Sequence, residues 1–133
     1  MKEIHVVGAI IIKNKQILCA QRGNEKALPN LWEFPGGKIE QDETPQEALI
    51  RELQEELKIE VEVEREAFET TVYTYDFGRV HLTTFICNLI EGKPQLTEHH
   101  QIKWLYPHEL DQVKWAPADI PAVEKLMIGR VEQ

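Results

Sequence analysis

GKIEQDETPQEALIRELQEELKI, residues 37–59, is the stretch on which the reading of this chain turns. From Thr44 to Leu57 its pattern is helical. Thr44 suits an N-cap, Pro45 fits the first helical position, and Glu47 stands where a capping box wants its acid. Leu49, Leu53 and Leu57 recur every four residues and predict a buried stripe. Glu52 and Glu56 are four apart and Glu55 is three beyond Glu52, so all three are expected to point broadly to one side, away from the leucines. Like charges at this spacing weaken an isolated helix by about a few tenths of a kcal/mol per pair. Hard divalent cations, Mg²⁺ with Mn²⁺ as a substitute, give a reason to tolerate that repulsion, because carboxylate and carbonyl oxygens are the ligands they select. Arg51 can reach Glu47 or Glu55 one turn away and hold a carboxylate in place. Ahead of the helix, Gly36-Gly37 permits backbone geometry closed to other residues and can aim a carbonyl at a metal. The competing reading of the same glutamates is a solvated acidic helix face.

Outward from this segment, residues 3–12 and 16–22 are Ile/Val-rich runs split by Asn14-Lys15 and read as a β-hairpin. Residues 23–31 are loop-like, and WEFPGGKIE follows with a Pro-Gly-Gly break. Residues 59–64 alternate apolar and acidic side chains, which predicts a half-exposed strand. Residues 67–76 and 80–90 read as a second hairpin through Phe77-Gly78-Arg79, and residues 102–106 as a further strand. A last helix is expected from about Asp119 to Val131, with Ile120, Val123, Leu126 and Met127 on one face. This order argues for mixed α and β (an α+β arrangement) rather than regular βαβ alternation, in one domain over residues 1–133.

Composition narrows the function. The net charge is −8, and no Lys/Arg-rich stripe appears, so the chain is not expected to bind a nucleic acid polymer. An acidic protein still binds a small polyanion when divalent ions neutralise both sides. The opening MKEIHVVGAIII lacks the basic start and small-residue cleavage site of a leader, and no later run reaches membrane-spanning length. A cytoplasmic protein that engages no membrane is expected, and nothing points to an obligate protein partner. Cys19 and Cys87 lie in apolar strand-like runs and read as small buried hydrophobes. His99-His100 lacks metal-ligand spacing and reads as an exposed loop, and His5 and His81 carry no motif.

Residues 37–59 resemble the Nudix box, G-x5-E-x7-R-E-U-x-E-E-x-G-U, at Gly37, Glu43, Arg51, Glu52, Leu53, Glu55, Glu56 and Ile59. The second box glycine is Lys58 here, at a position where a helix end often takes a left-handed residue. VVGAIIIKNKQILCAQR, LWEFPGGKIE and WAPADIP are further similar to the MutT branch of the Nudix family, so the resemblance spans nearly the whole chain. It implies an α/β/α sandwich around a mixed β-sheet and a magnesium-dependent hydrolase that converts a nucleoside triphosphate to the monophosphate and pyrophosphate. By the same carry-over Glu52, Glu55 and Glu56 are metal ligands, joined by a backbone carbonyl of Gly36 or Gly37. Glu98 falls where such proteins carry a further carboxylate beside the metals, and either Glu52 or Glu98 is the base. Arg51 belongs to the same machinery, while Glu43 lies at a supporting position. Arg22 matches an arginine that contacts the nucleotide, and Phe34 and Asp119 match positions that shape the base pocket. Asp119 also suits the N-cap of the last helix. Trp32, Tyr75, Phe77 and Trp115 are core residues or stacking partners.

An ionised Asp119 only accepts hydrogen bonds, which favours the donor edges of guanine or cytosine. Asp119 thus serves either class; sanitising hydrolysis of 8-oxo-dGTP is placed slightly ahead, with CTP or 5-methyl-dCTP as the alternative. A Nudix enzyme acting on ADP-ribose ranks lower, because the chain is short. From another class, a non-catalytic Nudix-like module would bind nucleotide without turnover; its mark, a lost box carboxylate, is absent.

Overall fold

The computed structural model describes residues 1–129. The long apolar run at the start forms β1 (Glu3–Lys13), and Asn14-Lys15 turns it back into β2 (Gln16–Gln21). Both turn residues take positive φ, 53° and 68°, as a two-residue hairpin loop requires. The WEFPGGKIE segment yields two short strands that its sequence did not announce, β3 (Trp32–Glu33) and β4 (Gly36–Lys38). The glutamate-rich segment is α1 (Pro45–Leu57). After it come β5 (Glu60–Val63), β6 (Glu69–Tyr75), β7 (Gly78–Glu91) and β8 (Gln101–Leu105). Two 3-10 turns, Pro107–Gln112 and Pro117–Asp119, lead to α2 (Ile120–Ile128). The expected end of this helix at Val131 lies outside the described residues. The second hairpin turns at Asp76-Phe77, one position earlier than expected, with Gly78 already paired to Tyr75.

One eight-stranded sheet runs through the molecule in the order β3-β2-β1-β7-β5, with β4 also on β1, β6 on β7 and β8 on β2. β1 and β7 are parallel from Glu3↔Arg79 to Ile12↔Asn88, and the other pairings are antiparallel. The sheet is mixed, as expected. β1 is continuously apolar because both its faces are covered. Val7, Ala9 and Ile11 pack with Leu49, Leu53 and Leu57 of α1, while Ile10 and Ile12 pack with Val123 and Leu126 of α2. Each α1 leucine is fully buried, a contribution of about 1.5–3 kcal/mol apiece. A helix on each face of one sheet is the α/β/α sandwich.

Both ends of α1 obey local chemistry. Thr44 accepts from the Glu47 amide, and Glu47 accepts from the Thr44 amide, a complete capping box. At the far end Lys58 takes the left-handed conformation, φ 59° and ψ 38°, with its amide on the Gln54 and Leu53 carbonyls. A lysine in place of the box glycine was expected to shift the helix end or cost some stability; the helix ends unshifted at Leu57, with Lys58 itself left-handed. Cys19 and Cys87 are free and fully buried, and burial pushes both thiols up to about 12. No helix among the described residues is long and apolar enough to cross a membrane.

Candidate active site

A cavity of about 360 Å³ opens where the C-terminal half of α1, β4 and the loops after β2 and β7 meet. Gly36, Gly37, Glu52, Glu56 and Glu98 line one end, Arg22 and Lys26 supply cations, and Val6, Phe34, Leu82, Ala118 and Asp119 line the rest. Tyr75 and Phe77 stack at 5.0 Å with rings 7° apart and also face the cavity.

The carboxylate end is built by two close approaches. β4 pairs with β1 at Gly8↔Gly36 and Val7↔Gly37, so tightly that a Cβ on Gly36 would lie 1.9 Å from the Val7 carbonyl oxygen. One residue on, a Cβ on Gly37 would lie 2.2 Å from Glu52 Oε2. The second glycine is thus the cradle in which the Glu52 carboxylate rests. Burial raises the Glu52 pKa, against the pull of Arg51, whose Nη1 is 3.4 Å away. Glu56 is the more strained of the pair. Its Oε1 is buried without a hydrogen-bond partner, and burial, then Glu52, Glu98 and Glu33, push its pKa up to about 8.

Glu55 does not share this position. Its side chain is 58% exposed, stands 3.5 Å from Arg51 and does not line the cavity, which corrects the expectation of three glutamates on one side. Residues four apart differ by about 40° around a helix but adjacent ones by about 100°, so Glu52 and Glu56 face inward and Glu55 lies on the flank. Arg51 also stays outside the cavity. It grips Glu43 through bonds of 2.7 and 3.0 Å and reaches the Lys38 carbonyl at 3.1 Å. Glu47, one of its two expected partners, is engaged in the capping box instead. Glu43 is supporting, as anticipated: Arg51 and the Glu40 amide hold its carboxyl below the usual range.

Among the described residues no three His, Cys, Asp or Glu side chains are already gathered as a metal cage. Local cations account for this: Glu52 and Glu55 lean on Arg51, and Glu98 pairs with Lys26 at 3.0 Å. The residues nevertheless fit a hard divalent ion. Glu56 presents a buried oxygen with nothing to bind, and Gly37 leaves room for Glu52. Every candidate donor is oxygen, from carboxylates or backbone carbonyls.

At the apolar end of the cavity, Asp119 is buried and its Oδ1 accepts from the Phe34 amide at 3.1 Å. It occupies the N-cap position of α2 without making a side-chain cap bond, so the capping role expected for it is not the one it plays. Burial, reinforced by Glu33, raises its pKa well above the usual range, so this carboxyl resists the ionisation expected of a simple acceptor. Phe34 lies 3% exposed against Trp115 at 4.7 Å. Trp32 and Trp115 are core residues, whereas Tyr75 and Phe77 face the cavity. Arg22 donates from Nη1 to Glu33 at 2.7 Å and from Nε to the Ala27 carbonyl at 2.6 Å.

Three residues of the cavity, His99, Glu33 and Lys26, escaped the sequence reading. His99 is buried, with Nε2 2.9 Å from Glu33 Oε2, not on an exposed loop; its neighbour His100 is exposed. Burial works to raise the Glu33 pKa, but His99 and Arg22 together hold it below the usual range. A two-residue strand has no periodicity to reveal that Trp32 faces the core and Glu33 the cavity. Lys26, in the loop after β2, carried no signal at all.

With this geometry in place, the chain can be set beside known proteins. The profile of the NUDIX domain matches residues 3–126. This chain belongs to the NUDIX family. Among its NUDIX relatives, a CTP pyrophosphohydrolase of Escherichia coli (strain K12) is 42% identical over 98% of this chain and 96% of its own length. An 8-oxo-dGTP diphosphatase of the same strain is 34% identical over 95% of this chain and 98% of its own. The solution structure of a DNA mismatch repair protein MutT, family Nudix hydrolase, from methicillin-resistant Staphylococcus aureus 252 is 55% identical and superposes with a TM-score of 0.77. That match covers 95% of this chain and 96% of the other. Nudix hydrolases generally depend on a divalent metal, which agrees with the oxygen-rich end of the cavity.

Proposed function

We propose that this NUDIX chain is a magnesium-dependent hydrolase that converts a nucleoside triphosphate to the monophosphate and pyrophosphate. The observation that carries this reading is the buried, unpartnered Glu56 oxygen beside Glu52 and Glu98, at one end of a cavity whose other end is apolar and holds Asp119. One end suits a hydrated cation with phosphates, the other a base. The named relatives, a CTP pyrophosphohydrolase and an 8-oxo-dGTP diphosphatase, agree with that division.

Glu52, Glu56, Glu98 and a carbonyl of Gly36 or Gly37 would hold Mg²⁺, or Mn²⁺ in its place, with Glu55 turning in from the flank. When bound, the ion neutralises phosphate charge and lowers the pKa of a water. Arg51 steadies Glu52 and keeps Glu55 within reach on the flank. Glu52 or Glu98 takes the proton as the water oxygen bonds to the β-phosphorus and the bond to the α-phosphate oxygen breaks. Arg22, already fixed by Glu33 and Ala27, directs positive charge at the phosphates. Such an activity belongs in the cytoplasm, where nucleotide pools are.

Base choice follows from Asp119. A protonated carboxyl both donates and accepts. Oxidation of guanine at C8 turns N7 from acceptor to donor beside the O6 acceptor, a matching pair that unmodified guanine lacks on that edge. 8-oxo-dGTP is therefore the preferred substrate in this reading. Cytosine offers a similar pair, the N3 acceptor and N4 donors, and the 42% identical CTP pyrophosphohydrolase makes CTP or 5-methyl-dCTP the second reading. A kcat/KM panel of 8-oxo-dGTP, dGTP, CTP, dCTP, 5-methyl-dCTP and ADP-ribose with Mg²⁺ tests both. Pyrophosphate release with 8-oxo-dGTP above dGTP is expected. Nucleotide binding without turnover would show a binding module instead.

A further inference from the structure

Lys26 is a cation with a choice of partners. Its loop is held firmly: the Arg22 side chain grips the Ala27 carbonyl, the Arg22 and Asn30 backbones bond across the loop base, and the Lys26 amide reaches the Gly23 carbonyl at 3.3 Å. The loop also touches the segment that carries Glu98, since a Cβ on Gly23 would meet the Glu98 carbonyl at 3.5 Å. The side chain, by contrast, is 46% exposed, and its ammonium sits 3.0 Å from Glu98 Oε1. Both residues line the cavity with Glu52 and Glu56, so Lys26 stands among the carboxylates assigned to the metal. A lysine ammonium on a flexible stem exchanges anions more readily than the planar fork of arginine.

We propose that Lys26 is an exchangeable counter-cation: it holds Glu98 in the metal-free protein, and metal loading releases it to the phosphates of the substrate. This inference rests on the metal-dependent reading above. Lys26 and the divalent ion compete for Glu98, so each site filled by one is denied to the other. Once Glu98 turns to the metal, the anchored loop leaves the ammonium at the cavity mouth, where the nearest new anion is a phosphate. Lys26 is thus a positioning residue that links metal loading to substrate capture.

Mn²⁺ binding followed by electron paramagnetic resonance, without nucleotide, tests the first half. Lys26→Met is expected to bind Mn²⁺ about two- to fivefold more tightly than wild type, the range of a half-exposed ion pair. In a Glu98→Gln background the same substitution should leave Mn²⁺ affinity unmoved. The second half is read at saturating Mg²⁺, where Lys26→Met should raise KM for the triphosphate about two- to fivefold with kcat nearly constant, and Lys26→Arg should recover part of the loss. Wild type that binds Mn²⁺ while Lys26→Met binds it equally or more weakly overturns this inference alone, as does an unchanged KM. Wild type that fails to bind Mn²⁺ overturns the metal reading and this inference with it.

Discussion

Glu56 concentrates the chemistry of the molecule in one side chain. Folding buries it beside other acids, so the folded chain keeps a proton that the unfolded chain releases above about 4.5, and keeps it until about 8. The folded state therefore binds more protons than the unfolded state in that window, and stability must fall as pH rises through it. Glu56→Gln removes the ionisation. At pH 8 without metal, the variant should melt above wild type by about 1–3 kcal/mol of added stability, and its melting temperature should depend less steeply on pH between 5 and 8. Turnover should fall at least about a hundredfold, since the lost oxygen is the one left free for the cation. A variant that melts lower at pH 8, or retains wild-type turnover, would show that this carboxylate is a structural group. Asp119 shifts in the same direction, so some fall of stability with pH remains in the variant.

At the scale of the element, β4 separates folding from chemistry across a single peptide bond. A methyl on Gly36 would meet the Val7 backbone, which cannot retreat without breaking the β1–β4 pairing, whereas a methyl on Gly37 would meet the mobile end of Glu52. Gly36→Ala should therefore cost several kcal/mol or prevent folding, measured by denaturant titration. Gly37→Ala should change stability by less than about 1 kcal/mol while reducing kcat by at least about tenfold, because Glu52 is pushed from its seat. Equal stability losses in both would refute the division. The Gly-Gly pair was visible in the sequence as backbone freedom, but its two separate reasons were not, since both depend on partners distant in the chain. By contrast α1 was legible almost residue by residue: its cap, its leucine stripe and its left-handed end at Lys58 are all local effects. Glu55 was misplaced because a one-sided reading of the acids treats i+3 and i+4 as equivalent, while the cavity lies toward only one of them. His99 and Glu33 were unreadable for a plainer reason. A buried pair formed across 66 residues leaves no trace in either neighbourhood.

Taken whole, the sandwich keeps the site apart from what holds the molecule together. Two large apolar clusters, one under α1 and one under α2, cover opposite faces of β1 and contain none of the cavity carboxylates. Glu52 and Glu56 sit between Leu49 and Leu57 on the same helix, turned to the cavity rather than to the leucine cluster. Their mutual repulsion is eased by Arg51 and Lys26. Metal removal should consequently abolish activity without unfolding the chain. Protein treated with EDTA is expected to show no pyrophosphate release, an unchanged far-UV circular dichroism spectrum and a cooperative melt. Returning Mg²⁺ or Mn²⁺ at about a hundred times its Kd should restore turnover and add about 2.7 kcal/mol, or roughly 5–10 °C in Tm, because the ion binds only the folded carboxylate set. Loss of the cooperative melt on chelation would mean that the cation is part of the core architecture, and that two apolar layers packed on β1 do not suffice to hold the carboxylates in place.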